Sequence, residues 1–267
     1  MTNQKMFFDE KIARLFATHE ENYKHIGVAD LIARVLISKL KDMPKPWHIA
    51  DLGAGAHIDR YDPLFEIMMT EPRGKYDHVD ISPVMISLAK ETAKKKFIEN
   101  RLEIVEFFEI EAIEYLKSQP DLSLDGIIMK YTFEDIHDID ELFALVSQKL
   151  KKGGVLVATM QPSDVIPSSK SNARFLYKGE EFPEGETRTL VDGEEWGIKF
   201  FNKTGEPDSG YLEGGETTKV YHSPDKITEL AKKHVLEHYM GNWKDAVPRE
   251  EQGGNGLDQT ILLLEKK

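Results

Sequence analysis

Apolar residues recur at helical spacing through the first forty positions: Phe7, Phe8, Ile12, Leu15 and Phe16, then Ile26, Leu31, Ile32, Val35, Leu36 and Leu40. That period predicts helices over 7–41, and Pro44 and Pro46 end them. The pattern then changes to short apolar runs alternating with amphipathic stretches. The runs at 47–52, 76–80, 102–108, 126–129 and 155–159 read as strands. The stretches 62–69, 83–95, the one ending near 117, and 139–150 read as helices. Pro83 falls at the start of its helix, a favoured place for proline. Glu71-Pro-Arg-Gly74 and Gly153-Gly154 read as turns. Strand and helix in alternation predict a parallel sheet covered by helices on both faces.

The rhythm breaks after residue 160. Positions 161–195 are rich in Ser, Pro, Gly and Glu and read as a long excursion from the core, a lid or a partly disordered segment. Segments 196–201 and 211–222 are expected to form a hairpin around the turn-rich 202–210. A helix over 224–234 and strands at 235–240 and 260–264 close the chain. The expected domains are an N-terminal helical lid (1–45), a core (46–160), an insertion that caps the substrate (161–222) and a C-terminal completion of the core sheet (223–267).

The 267 residues are 40% apolar, enough for one large core with additions. There is no cysteine, which excludes disulfides, thiolate metal sites and a cysteine nucleophile. The formal charge of −12 offers no bulk basic surface to nucleic acid and mostly serves solubility. The one basic run, Lys94-Lys95-Lys96 near Lys90, reads as a solvated helix end. No apolar run reaches the ~18–20 residues of a membrane span, and no apolar leader follows Met1. The expected location is cytoplasmic, with no membrane partner.

The chemistry starts at Trp47-His-Ile-Ala-Asp-Leu-Gly-Ala-Gly-Ala-His57, an apolar strand running into a glycine turn. Gly53 and Gly55 permit a sharp turn and close backbone approach to a ligand. The next strand, Tyr76-Asp-His-Val-Asp80-Ile81-Ser82, ends in an acid that can accept hydrogen bonds from both hydroxyls of a ribose. A turn after one strand and a carboxylate at the tip of the next is how an open α/β sheet holds an adenine nucleoside. Positions 53, 55 and 58 read Gly, Gly, Ile, so the dinucleotide fingerprint fails at its last glycine and NAD is disfavoured. No metalloprotease, P-loop or nucleophile-elbow motif is present, and His/Asp/Glu spacing suggests no metal.

In this order the parts resemble the class I S-adenosylmethionine-dependent methyltransferases of small-molecule type. Asp51-Leu-Gly53-Ala-Gly55 is similar to that family's first motif, and Val79-Asp80-Ile-Ser-Pro-Val-Met85 to its second. Leu150-Lys-Lys-Gly153-Gly154-Val-Leu156 resembles its turn before strand five, and Tyr131-Thr-Phe-Glu-Asp-Ile136 stands after strand four. The resemblance covers roughly 45–160. It implies a Rossmann-like, seven-stranded, mostly parallel sheet with an N-terminal helical lid and an inserted hairpin before the last helix. It also implies S-adenosyl-L-methionine as cofactor. The expected cofactor residues are Asp51, Gly53, Ala54 and Gly55 in the first turn, Asp80 at the ribose with Ile81 next to it in the chain, Phe108 and Glu109 at the adenine, and Met129 and Lys130 near the methionyl end. His57 replaces the third glycine of the first motif, and Lys152 replaces a proline before Gly153.

Methyl transfer from a sulfonium needs alignment and water exclusion more than a catalytic signature. A base is needed only where the acceptor must lose a proton. The candidates are His137, Glu134 and Tyr23. Each has a plainer reading: a solvated loop histidine, a helix N-terminal acid and a core tyrosine. Glu134 and Asp135 could also attract a cationic or amine acceptor. Asp51 either orients the turn or meets the cofactor ammonium. Asp80 could alternatively cap a helix, and His57 could touch a ligand or sit on a surface turn. Phe175, Tyr177, Phe182, Trp196, Phe200, Phe201, Tyr211 and Tyr221 fit either an acceptor pocket or an ordinary hydrophobic cluster.

The first reading is therefore a methyltransferase acting on a small molecule. One alternative is an enzyme acting on a protein or tRNA, which a basic patch formed by 90–96, 149–152 and 170–174 would favour. The other is a non-catalytic nucleoside-binding protein, favoured if His57 blocks the space above Gly53. A homodimer is compatible with the sequence.

Overall fold

The computed structural model describes residues 9–22, 26–97, 99–161, 163–170, 172–203, 206–253 and 259–267. The chain enters through helices α1 (Glu10–Asn22) and α2 (Ile26–Leu40). It then alternates: β1 (His48–Leu52), α3 (Asp62–Met68), β2 (Lys75–Asp80), α4 (Pro83–Lys96), α5 (Glu99–Leu102), β3 (Val105–Glu109), α6 (Ala112–Ser118), β4 (Leu124–Met129), α7 (Ile139–Lys149) and β5 (Leu150–Thr159). Short strands follow: β6 (Val165–Pro167), β7 (Ser169–Lys170), β8 (Ala173–Tyr177), β9 (Glu180–Glu181) and β10 (Thr187–Thr189). Long strands β11 (Glu195–Lys203) and β12 (Glu206–Val220), helix α8 (Pro224–Lys233), and strands β13 (Leu236–Asn242) and β14 (Thr260–Lys266) complete the fold.

The main sheet has the order β13-β14-β5-β4-β1-β2-β3. Strands β5, β4, β1, β2 and β3 run parallel, and β14 is antiparallel to both β5 and β13. Because side chains alternate across a strand, β1 sends Ile49 to one apolar layer and Ala50 and Leu52 to the other. The first layer is filled by α2 and α3 with Leu36, Phe65 and Trp243. The second is filled by α6, α7 and α8 with Tyr115, Phe143 and Leu230. Central strand β4 is buried at every position, as a parallel strand covered on both faces should be.

Helix starts follow local chemistry. Ser82 caps α4 by accepting from the Met85 N–H, with Pro83 in the first turn. Ser223 does the same for α8 ahead of Pro224.

Three elements differ from expectation. The third strand begins at Val105, because residues 99–102 form a helical turn instead. The fifth begins at Leu150: Gly153 and Gly154 lie inside the strand, where its register against β4 shifts. The 161–195 excursion is folded: β10 pairs with β6, and β7, β8 and β9 pair in sequence. Its glycines, including Gly179 and Gly185 at positive φ, sit in the connections between short strands.

Strand β8 joins β11, and β11 pairs antiparallel with β12, so β7, β8, β9, β11 and β12 build a second sheet, while β6 and β10 pair as a separate two-stranded one. Ile166, Phe175, Phe182, Leu190, Trp196 and Tyr221 are buried together there, with Tyr177 packed against them. Phe175 and Trp196 stack at 5.7 Å, and Phe201 stacks on Tyr211 at 5.6 Å. Phe175, Phe182, Trp196 and Tyr221 thus belong to a hydrophobic cluster of their own, apart from the two layers of the main sheet. Among the described residues, no helix is long and apolar enough to cross a membrane.

Candidate active site

The C-terminal tips of β1, β2, β3 and β4 converge on the glycine turn that follows β1. Gly53 and Gly55 take φ of +66° and +67°, the left-handed region that costs a side-chain-bearing residue most. Strand β2 fastens this turn. The Ala54 N–H donates to the Val79 carbonyl at 3.0 Å, and the Gly55 N–H donates to Asp80 Oδ2 at 2.8 Å. His78 Nε2 donates to the Gly55 carbonyl at 2.8 Å. A carbonyl only accepts, so that ring nitrogen carries a proton. Burial pushes the His78 pKa down to about 4, so His78 stays a neutral donor at physiological pH.

Asp80 is 8% exposed at the tip of β2. Its Oδ1 accepts from the Ser82 N–H at 2.8 Å while Oδ2 accepts from Gly55. Each carboxylate oxygen can accept again, so the group ties the turn together and still offers acceptors to a diol. The helix cap is Ser82, not Asp80. Ile81, next along, is 45% exposed, an unusual state for a large apolar side chain at this edge. Glu109 is exposed at the tip of β3, directly opposite Asp80 in the register. Phe108 is half-buried, edge-on to Tyr115 at 5.3 Å.

Asp51 lies beneath the turn, fully buried. Tyr76 donates its hydroxyl to Asp51 Oδ2 at 2.7 Å. Burial pushes the carboxyl up to about 7, against the Tyr76 hydrogen bond and the positive charge of Lys130. The Lys130 ammonium stands 5.6 Å from the Tyr131 ring at the end of β4. Met129 belongs to the buried layer that also holds Leu52 and Phe133, so its side chain is core.

His57 is buried, contrary to a surface-turn reading. Its Nε2 donates to the Ala17 carbonyl of α1 at 3.1 Å. Ala13 and Ala17 pack with Ala56 and Met85, so α1 lies over the glycine turn. His57 thus points at α1, and among the described residues nothing lies within 4 Å of where a side chain at Gly55 would begin. Tyr23 lies outside the described residues.

Beyond β4, a short 3-10 turn, Phe133–Asp135, carries the acidic pair. Glu134 is partly buried, its Oε1 accepts from the Gln161 N–H, and burial pushes its carboxyl up to about 7 against the nearby Lys219 charge. Asp135 pairs with Lys219 at 2.8 Å. His137 is exposed in the loop before Asp138, the cap of α7, apart from this cluster. Sequence reasoning did not single out Lys219, Thr132, Thr159 or His222, all of which hold this loop. His78 was readable in principle, since it shares a face with Asp80 two residues on.

Several cations of the three basic segments are paired: Lys96 with Asp59 at 2.5 Å, Lys149 with Asp121 at 2.8 Å, Lys151 with Asp125 at 2.7 Å and Arg174 with Glu181 at 3.6 Å.

A family model described as a methyltransferase domain matches residues 47–213. No curated protein matches the chain. Among solved structures, the chain is similar to the PH0226 protein from Pyrococcus horikoshii OT3, at 17% identity over 96% of this chain and 99% of that one, with a TM-score of 0.57. It is similar to the sugar N-methyltransferase KedS8 from Streptoalloteichus sp., at 13% identity over 94% and 92%, TM-score 0.54. It is also similar to the glycopeptide N-methyltransferase MtfA complexed with S-adenosyl-L-methionine, at 10% identity over 86% and 85%, TM-score 0.52. At such identities the likeness is one of fold.

Proposed function

This chain belongs to the methyltransferase-domain family and is an S-adenosylmethionine-dependent methyltransferase; we propose that its acceptor is a small molecule methylated on an amine nitrogen. When bound, S-adenosylmethionine supplies a methyl group on a sulfonium, already a good leaving group. The protein's task is then to orient, exclude water and handle the acceptor's proton. In this reading Asp80 takes the ribose hydroxyls, and Ile81, Phe108 and Glu109 flank the adenine. The turn Gly53-Ala54-Gly55 passes the methionyl part, with Asp51 and Lys130 beside its charged end.

The carrying observation is Glu134. It stands after β4, half-sheltered, with a carboxyl that titrates at about 7, so it can accept a proton from an ammonium or amine near physiological pH. Asp135 is already neutralised by Lys219, which leaves Glu134 as the group that handles the proton. Two structural neighbours are N-methyltransferases of a sugar and a glycopeptide, which fits a nitrogen acceptor. The acidic chain and its paired surface cations support a small molecule over tRNA.

The test is release of S-adenosylhomocysteine over a panel of small amines, including amino sugars. With a turned-over amine, kcat/KM is expected to rise with pH through about 7 and level above it, because only the carboxylate form of Glu134 takes a proton. Glu134→Gln should lower kcat by roughly 10²–10⁴-fold and remove that limb. A Glu134→Gln enzyme with an unchanged rate and the same limb would remove Glu134 from the chemistry.

A further inference from the structure

We propose that Lys219, from the cap, is a positioning residue for the cofactor turn of the core, an inference that rests on the cofactor reading above. The link runs through the loop after β4. Tyr131 has φ of +62°, a left-handed conformation rare for an aromatic residue, and such strain persists only where its surroundings enforce it. Here both backbone polar groups of Tyr131 are held by side chains. Its N–H donates to Thr159 Oγ1 of β5 at 2.8 Å, and its carbonyl accepts from Lys219 Nζ of β12 at 2.7 Å.

The left-handed step seats the next residue on the glycine turn. Thr132 Oγ1 donates to the Gly53 carbonyl at 3.2 Å, and Thr132 Cγ2 and Oγ1 lie 2.4 Å from where a Cβ at Gly53 would begin. At the other end of the loop, His222 Nε2 donates to the Ile136 carbonyl at 2.8 Å, and its ring meets buried Phe133 edge-on at 5.4 Å. The end of β12 and the residues just after it thus grip the loop at two carbonyls. Lys219 is 8% exposed and also neutralises Asp135.

The consequence is that the cap, which lies far from the glycine turn in sequence, sets the conformation of that turn through Lys219, Tyr131 and Thr132. Movement of the cap on the acceptor side is transmitted to Gly53, and cofactor affinity depends on the grip.

The test compares wild type, Lys219→Met and the double variant Lys219→Met/Asp135→Asn in the full chain. Calorimetric titration with S-adenosylhomocysteine is run well below the thermal midpoint of each protein. Lys219→Met alone strands the Asp135 charge and is expected to lower the midpoint. The double variant removes that charge and restores the midpoint, but leaves the Tyr131 carbonyl ungripped. S-adenosylhomocysteine affinity is therefore expected to fall roughly tenfold in both variants, whatever their stability. Thr159→Val, which releases Tyr131 from the opposite side without touching the cap, is expected to weaken binding similarly. Affinity within twofold of wild type in the double variant and in Thr159→Val would overturn the proposal and leave the cofactor reading intact. A wild-type protein that does not bind S-adenosylhomocysteine would overturn both.

Discussion

Asp80→Ala is expected to weaken S-adenosylhomocysteine binding by roughly 100-fold or more while the protein remains folded. Two losses combine. The contacts to the ribose hydroxyls that we propose for this carboxylate disappear, and hydrogen bonds to a charged group contribute about 1.5–3 kcal/mol. The Gly55 and Ser82 N–H groups, now held at 2.8 Å each, lose their acceptor. A buried donor left unsatisfied costs about 1–3 kcal/mol, and here it also loosens the turn that the cofactor must approach. Asp80→Asn separates the two. Its single carbonyl oxygen can keep one of the backbone donors, but its amide group presents hydrogens where Asp80 presents an acceptor. Calorimetric titration of the three proteins, with thermal unfolding alongside, checks the expectation. Equal affinity in wild type and Asp80→Ala would remove Asp80 from the ribose site.

The second large effect is expected from a single methyl group. Gly53→Ala places a Cβ 2.4 Å from both Cγ2 and Oγ1 of Thr132, at a residue with φ of +66°. The left-handed conformation costs an alanine about 1–2 kcal/mol, and forcing atoms into a packed contact costs typically 1–3 kcal/mol more. Thr132 has little room to yield, because Tyr131 before it is held from both β5 and β12. The turn must therefore shift, and S-adenosylhomocysteine binding should be lost to a titration that measures the wild type easily. The thermal midpoint should fall by roughly 2–4 °C per kcal/mol for a chain of this size. Removing the obstacle with Thr132→Gly in the same chain should restore part of the stability and of the binding, leaving the backbone cost. Gly53→Ala that binds as wild type does would show that the turn tolerates displacement and is no fixed cradle. Gly55→Ala is the instructive contrast: it carries the same backbone cost at φ of +67°, but among the described residues nothing lies within 4 Å of its Cβ, so it meets no second obstacle like Thr132.

The parts of the molecule that were legible beforehand share one property: their chemistry is local. Strand β1 with its glycine turn, Asp80 at the tip of β2, and the Pro83 and Pro224 helix starts each declare themselves within a few residues. The strand–helix alternation then leaves few topologies for a parallel sheet. What stayed hidden depends on residues distant in the chain. Lys219 reads as one more charge in a strand, and only the fold brings it to the Tyr131 carbonyl, 88 residues away. His57 reads as a turn residue because its partner, the Ala17 carbonyl, is 40 residues back. The 161–195 segment reads as an excursion because its strands are two to five residues long, too short to show a period, and are held by pairing with one another and with β11. The shared cluster of Phe175, Phe182, Trp196 and Tyr221 could not be read from the chain because its members come together only through strand pairing.

The most direct measurement is a crystal structure of the protein with S-adenosylhomocysteine bound. The account predicts the ribose hydroxyls against Asp80, the adenine over Ile81 between Phe108 and Glu109, and the amino-acid end beside Gly53 and Gly55 above Asp51. A nucleoside bound elsewhere on the fold, or seated at the sheet tips with its ribose away from Asp80, would contradict it.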